Sequence, residues 1–446
     1  KKKKFNKNLD LLNDIKKYRN HGNHHYIIYE VLKSYNELFL SKEKNLNLNF
    51  NLGKLSLINE AFQLCYLNQP EANLKFFNLI NSDENDYSRY LFFYFSKLAQ
   101  DEEFKNLTKI SKKINIIESN LLIQQSKHWI DNLNFEKFND FFSCENESDI
   151  IAEFFFLISN FLASENNFEE SNFYSNISHY LNPKFYFNLT HLLDNYFEND
   201  NFEKVKKILR IINKEDEIYY WFKIKKLAQI IYFEKDSKEY LKFIEKKFNE
   251  YSYPSPKIIY DMANIYKSEE KYEKSINYYS QVLKKLDIDS DAYAEVLYRR
   301  GSSYERLGDD EKSDKDLIKS LSIKPDDAYV LNYLGYSWLE RNYKIYDAID
   351  MLNKAYDKNS NSPYITDSVG WGYYLIDDFV NAEKFINKAI KLLPKDPIIN
   401  DHYGDILWKL NREIQARYFW QSALNSEEAD DKLKNKIKSK LLKGLN

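Results

Sequence analysis

The sequence predicts an all-α solenoid of about eleven helix pairs stacked along one axis. Three observations predict it. Four of the nine glycines, Gly301, Gly335, Gly370 and Gly404, stand 34, 35 and 34 residues apart. Small residues recur behind each of them, at Ser313, Ala348, Ala382 and Ala416, and seven positions later at Ser320, Ala355, Ala389 and Ala423. Prolines mark the seams: Pro325 and Pro394 end units while Pro363 and Pro397 begin them, and proline is tolerated in the first turn of a helix but not in its interior. Helix axes approach closely only where side chains are small, so each unit reads as a helix pair. One pair cannot bury both of its faces, and neighbours must stack.

Composition narrows the function. The chain has 446 residues, 65 basic against 68 acidic, for a net charge of −3. That leaves no global basic field for phosphate contacts. No run of 18 apolar residues is present to span a bilayer. With 37 Tyr and 31 Phe, a single aromatic residue is weak evidence of a site. Cys65 and Cys144 fall in different units and are expected to be buried small hydrophobes, which leaves stability to packing.

Taken in order, residues 1–51 fit no unit and are assigned as an N-terminal helical segment. Lys1 to Lys4 run into Phe5-Asn6-Lys7-Asn8, which lacks the apolar stretch of a secretory signal. Residues 52–255 carry degenerate units in which Ala72, Leu107, Phe138, Ser171, Val205 and Tyr240 take the small-residue place, with an aromatic three residues earlier at Phe104, Phe135, Phe168 and Phe202. Phe138 and Tyr240 break the size rule, so packing there is wider or the register is shifted. Residues 256–430 hold regular units, and the one from Pro363 to Asp396 is the cleanest, with Val369-Gly370, Tyr373, Phe379, Ala382, Ile386, Ala389 and Pro394. Residues 431–446 form a solvated capping helix, with Leu433, Ile437 and Leu441 at helical spacing among lysines.

Chemistry is hard to find. No phosphate-binding glycine loop, nucleophile elbow or His-Glu-x-x-His motif is present. Gly370-Trp371-Gly372 lies within an expected helix and reads as packing. The pairs Asp309-Asp310, Asp326-Asp327 and Asp377-Asp378 fall at turns, where aspartate starts helices. His21, His24 and His25 could bring two imidazoles to one ion, but no nearby cysteine or third ligand completes a site. No catalytic residue, cofactor or metal is expected, and the chain reads as a non-enzyme.

The recurring residues between Pro256 and Asp430 resemble the tetratricopeptide repeat, a 34-residue helix-turn-helix unit. The resemblance implies a right-handed superhelix whose first helices line a concave surface, with positions 2, 5, 9 and 12 of each unit facing it. In the last four units these positions supply the candidate partner-binding residues Tyr298, Tyr329, Asn332, Tyr336, Tyr364, Asp367, Trp371, Tyr374, Asp401, Asp405 and Trp408. Seven of the sixteen positions are Tyr or Trp, which serve as rigid anchors in interfaces, and none is Lys or Arg. The expected partner is therefore another protein or peptide segment, apolar or mildly basic, with Asp367, Asp401 and Asp405 setting the charge preference. Nucleic acid and small-molecule substrates are not expected. The Lys/Asn clamp of co-chaperones for acidic C-termini is absent, Asn264 and Asn332 being its only partial echoes.

A narrower resemblance lies in Asn332-Tyr333-Leu334-Gly335-Tyr336-Ser337-Trp338, Asp367-Ser368-Val369-Gly370-Trp371 and Asp401-His402-Tyr403-Gly404-Asp405-Ile406-Leu407-Trp408. These stretches are similar to the C-terminal units of a bacterial family that includes outer-membrane lipoprotein adaptors. Its members recruit a carboxy-terminal processing protease and present cell-wall hydrolases to it. The resemblance implies a scaffold in the periplasm or at the outer membrane, touching the membrane only through an anchor upstream of Lys1. The alternatives are a permanent structural subunit of a larger envelope assembly and, for location, the cytoplasm.

Overall fold

The computed structural model describes residues 23–44, 53–81 and 88–445, so His21 and the lysine-rich start lie outside the described residues. Among the described residues there are twenty-four α-helices and no strand. After the helix Asn23–Ser41, they form eleven consecutive pairs and a final helix, Asp431–Lys443. The chain divides into two compact units, Lys1–Pro254 and Ser255–Asn446.

In the second unit the pairs are Pro256–Ser268 with Tyr272–Leu283, Asp291–Arg306 with Asp310–Ile323, Ala328–Glu340 with Ile345–Lys358, Pro363–Leu375 with Phe379–Leu392, and Pro397–Lys409 with Glu413–Leu424. Local chemistry sets their bounds. Ser255, Ser290, Asp327, Ser362 and Asp396 cap the first helices by accepting backbone N–H bonds, and Pro256, Pro363 and Pro397 occupy the first turns. Asp309 and Asp378 cap second helices in the same way, which accounts for the paired aspartates at the turns.

The glycine spacing has one physical meaning. A methyl group on Gly301, Gly335, Gly370 or Gly404 would meet Leu317, Leu352, Ile386 or Trp420, respectively, at 3.1, 2.9, 2.6 and 2.3 Å. Each of those four side chains lies four residues beyond Ser313, Ala348, Ala382 or Ala416, all buried. The first helix gives up its side chain so that the second can lay a large one across its backbone. Gly372 does the same between neighbouring pairs, facing Ile349 at 2.9 Å.

The first unit has six pairs of uneven length, from the six-residue Glu136–Phe141 to the eighteen-residue Glu147–Ser164. Ala72, Leu107, Phe138, Ser171 and Val205 are all fully buried on second helices. Phe138 fits because its surroundings are aromatic: Phe92, Phe95 and Trp129 stand 5.8, 6.4 and 5.2 Å from its ring. Tyr240 is only half-buried, and its neighbour Leu241 takes the inward place, a shift of one residue in register.

Cys65 and Cys144 correct the sequence reading. They form a disulfide across 79 residues, joining the end of the helix Lys54–Tyr66 to the turn before Glu147–Ser164. Their pairs are not consecutive, so linear spacing carried no sign of the contact.

Beside Cys144, the Asp149 carboxylate accepts the Ser143 N–H at 2.9 Å. Burial pushes its pKa up to about 6, against the pull of that bond and of Lys184. A carboxyl raised in the folded state costs stability as pH rises from its unfolded value, near 4, through the folded one. Asp149→Asn keeps the acceptor and removes the charge. It should stabilise the chain at pH 8 by on the order of 1–3 kcal/mol, and denaturant titrations should show the gain fading to nothing by about pH 4.

Candidate functional site

Residues 3, 4 and 3 apart on a helix share one face, so Tyr329, Asn332, Tyr336 and Leu339 line one side of Ala328–Glu340. Tyr364, Asp367, Trp371 and Tyr374 do so on Pro363–Leu375, and Ile398, Asp401, Asp405 and Trp408 on Pro397–Lys409. The structure separates these positions into three kinds.

Tyr329 and Tyr364 stand open, 63% and 59% exposed, and Ile398 at the same place in the next unit is 48% exposed. Among the described residues, about half or more of each of these side chains is left uncovered.

A second group is half-buried and stacked. The Trp371 ring lies between Tyr374 at 4.7 Å and His402 at 4.1 Å, nearly parallel to both. Tyr298 meets Tyr333 edge to face at 5.7 Å, and Tyr333 donates to Glu305 at 2.8 Å. Tyr336 faces Glu340, Asp367 and Asp401; burial first and these carboxylates second hold its phenol well above the usual range. Tyr374 is shifted the same way by burial and by Asp405, Asp377 and Asp401. The Asn332 carbonyl oxygen is shut off from water without a hydrogen-bond partner. Trp408 is half-covered: Gly444 comes so close that a methyl there would meet its ring at 2.1 Å, and Arg417 sits 5.2 Å from its centroid.

The third group corrects the expectation that Asp367, Asp401 and Asp405 set a partner's charge. All three are buried and internally neutralised. Asp367 lies 3.0 Å from His402 Nδ1. Burial opposes the charged ring of His402, but Asp367, with Asp401 and Asp405 behind it, raises its pKa. Lys440, reaching in from the final helix, donates to Asp401 at 2.6 Å and to both oxygens of Asp405 at 2.6 and 2.8 Å. Trp420 Nε1 donates to Asp405 as well, at 2.9 Å. Burial holds the Asp405 carboxyl above its ordinary value, and Lys440 pulls against that shift. The physical reason is positional: Asp367 is covered by His402 from the next first helix, and the helix Asp431–Lys443, packed after the last pair, covers Asp401 and Asp405.

Spacing alone did not single out His402 and Lys440, although Lys440 follows Ile437 by three residues and so lies on the buried stripe of its helix. Four pairs before His402, Lys267 donates to Ser302 of the next pair, and burial together with Arg299 and Arg306 lowers its amine to about 8. Cations therefore do reach this face, but from neighbouring elements.

Residues 256–284 and 294–327 match the family model described as tetratricopeptide repeat. A TPR repeat-containing protein of Pseudomonas aeruginosa is 32% identical over 110 residues, 25% of this chain but only 18% of that protein. Among solved structures, a thermophilic TPR protein of Thermus thermophilus is 18% identical with a TM-score of 0.36, covering 42% of this chain and 100% of that one. A tetratricopeptide repeat protein of Parabacteroides merdae is 15% identical with a TM-score of 0.40, covering 49% and 86%.

Proposed function

We propose, for a chain that carries tetratricopeptide repeats, a non-catalytic scaffold that holds a segment of another protein against the first helices of its second unit. The observation that carries the reading is the aromatic face: Tyr329 and Tyr364 exposed, beside the pre-stacked trio of Trp371, Tyr374 and His402. Rings fixed before binding lose little entropy on contact, and Trp and Tyr dominate interface energies for that reason. Since Asp367, Asp401 and Asp405 are spent internally, the partner segment is selected mainly by its apolar side chains, and any preference for basic residues comes from Glu340 and Glu305 at the margin.

Recruitment of a protease or its substrates in the bacterial cell envelope is the finer form of this proposal. Two observations support it: the wording of the last three units, and the buried disulfide, a bond that persists in oxidising compartments such as the periplasm. The second reading, a permanent subunit of a larger assembly, draws on another row. Tyr346, Val380 and Ile414, each the second residue of a second helix, are 73%, 75% and 87% exposed.

The test is capture of partner proteins from an envelope extract by the immobilised chain. Replacing Tyr329, Tyr364 and Trp371 together by alanine should weaken capture at least tenfold, about 1.4 kcal/mol, with helical circular dichroism unchanged. Undiminished capture would rule out this face. Tyr346→Ser with Ile414→Ser should be silent for the scaffold and disruptive for the brace, as read by light scattering of the co-purified assembly.

A further inference from the structure

We propose that His24, His25 and Glu170 form a binding site for a zinc-class divalent transition-metal ion, which would clip the helix Asn23–Ser41 to the helix Phe168–Leu181 within the first unit. The two histidines stand in the first turn of one helix and the glutamate in the first turn of the other. One ligand atom from each lies within 4.8 Å of the other two. Spacing along the sequence supplied only the two imidazoles; folding brings the third ligand from about 145 residues away.

Two further observations point to a cation. His24 Nε2 and Glu170 Oε2 are 3.1 Å apart, within ion-pair distance if the ring is protonated, and both atoms are sealed from water without a hydrogen-bond partner. Buried polar atoms left this way are costly, and an ion between them removes the cost. The separation also suits one. With metal–nitrogen and metal–oxygen bonds of about 2.0–2.2 Å, adjacent corners of a tetrahedron lie roughly 3.3 Å apart. The His25 ring is exposed, with its centroid 4.1 Å from that of His24, so it has the freedom to close the third edge. Two imidazoles and one carboxylate favour zinc and its neighbours over magnesium or calcium, which take oxygen ligands. Three protein ligands leave one position for water.

The experiment is calorimetric titration of the untagged full-length chain with zinc chloride, paired with cobalt(II) absorption to report coordination. One equivalent should bind, and cobalt should give the intense visible bands of a four-coordinate site. His24→Gln and Glu170→Gln should each weaken zinc binding at least tenfold, while His128→Gln leaves it unchanged. If the wild-type chain takes up no stoichiometric zinc, or uptake survives the triple replacement of His24, His25 and Glu170 by glutamine, the site does not exist. Circular dichroism of each variant separates lost ligands from lost folding.

Discussion

Arg89→Met should destabilise the first unit by about 3–5 kcal/mol, the usual cost of breaking one side of a buried ion pair. Arg89 is 9% exposed and Glu153 2%. The guanidinium donates to both oxygens of Glu153, through Nε at 2.8 Å and through the Nη2 contact, and to Asn188 Oδ1 at 2.9 Å. Aromatic rings surround the group, with Phe156 3.9 Å, Phe187 4.8 Å and Phe185 5.1 Å from it to their centroids. From Asn188 the network continues to Ser178 at 2.7 Å and on to the Ala152 carbonyl at 2.7 Å. One side chain thus ties together helices from the second, fourth and fifth pairs.

The sign of the pH dependence separates this account from simple loss of packing. Burial already raises the Glu153 carboxyl, and Arg89 is the charge that opposes the shift. Without it the folded-state value climbs further, and a raised carboxyl costs stability as pH rises above its unfolded value near 4. The methionine variant should therefore be much weaker at pH 7 than at pH 4.5 in urea unfolding followed by circular dichroism. Arg89→Met with Glu153→Leu removes both charges and should recover most of the loss. A double variant as unstable as the single one would show that the pair matters only as filler.

What could be read from the letters follows from how the two units are built. In the second unit the close approaches at the four spaced glycines are each between the two helices of one pair, so Gly335 and Leu352, or Gly404 and Trp420, leave a period of 34 or 35 residues that survives a biased composition. The face-by-face assignment went wrong where that locality ends. Asp401 and Asp405 occupy ligand-facing positions in a continuing array, but here the last helix places Lys440 over them. In the first unit the decisive contacts skip pairs: Arg89 to Glu153, Gln125 to Asp216, Cys65 to Cys144. No periodicity can announce a contact between units that are not adjacent, and the same holds for Glu170 beside His24. Phenylalanine at the small-residue place of Phe138 was the visible trace, since it signals packing by a cluster of rings instead of by helix proximity.

Reduction of the Cys65–Cys144 bond should lower the stability of the first unit by about 2–5 kcal/mol, on the chain-entropy argument for a loop of this length. A bond across 79 residues closes a large loop in the unfolded chain, and the chain-entropy estimate for that length is roughly 4.5 kcal/mol. The constraint matters because of where it falls. The first and fourth pairs are not neighbours along the chain, and the first unit lacks the glycine and alanine register that closes each helix pair in the second. Among the described residues, this bond, the Tyr66–Glu147 hydrogen bond and the Phe62, Phe93 and Phe142 rings tie the first pair to the start of the fourth, while the Arg89 network ties the second pair to the fourth and fifth. Both sulfurs are buried, so dithiothreitol should reduce the native chain slowly and the unfolded chain fast. Urea unfolding of the same chain, with and without prior reduction, measures the effect without introducing a new side chain; Cys65→Ala with Cys144→Ala then checks it. A reduced chain that unfolds at the same urea concentration as the oxidised one would mean that the aromatic cluster alone fixes the pairs, and that the cysteines only record their closeness.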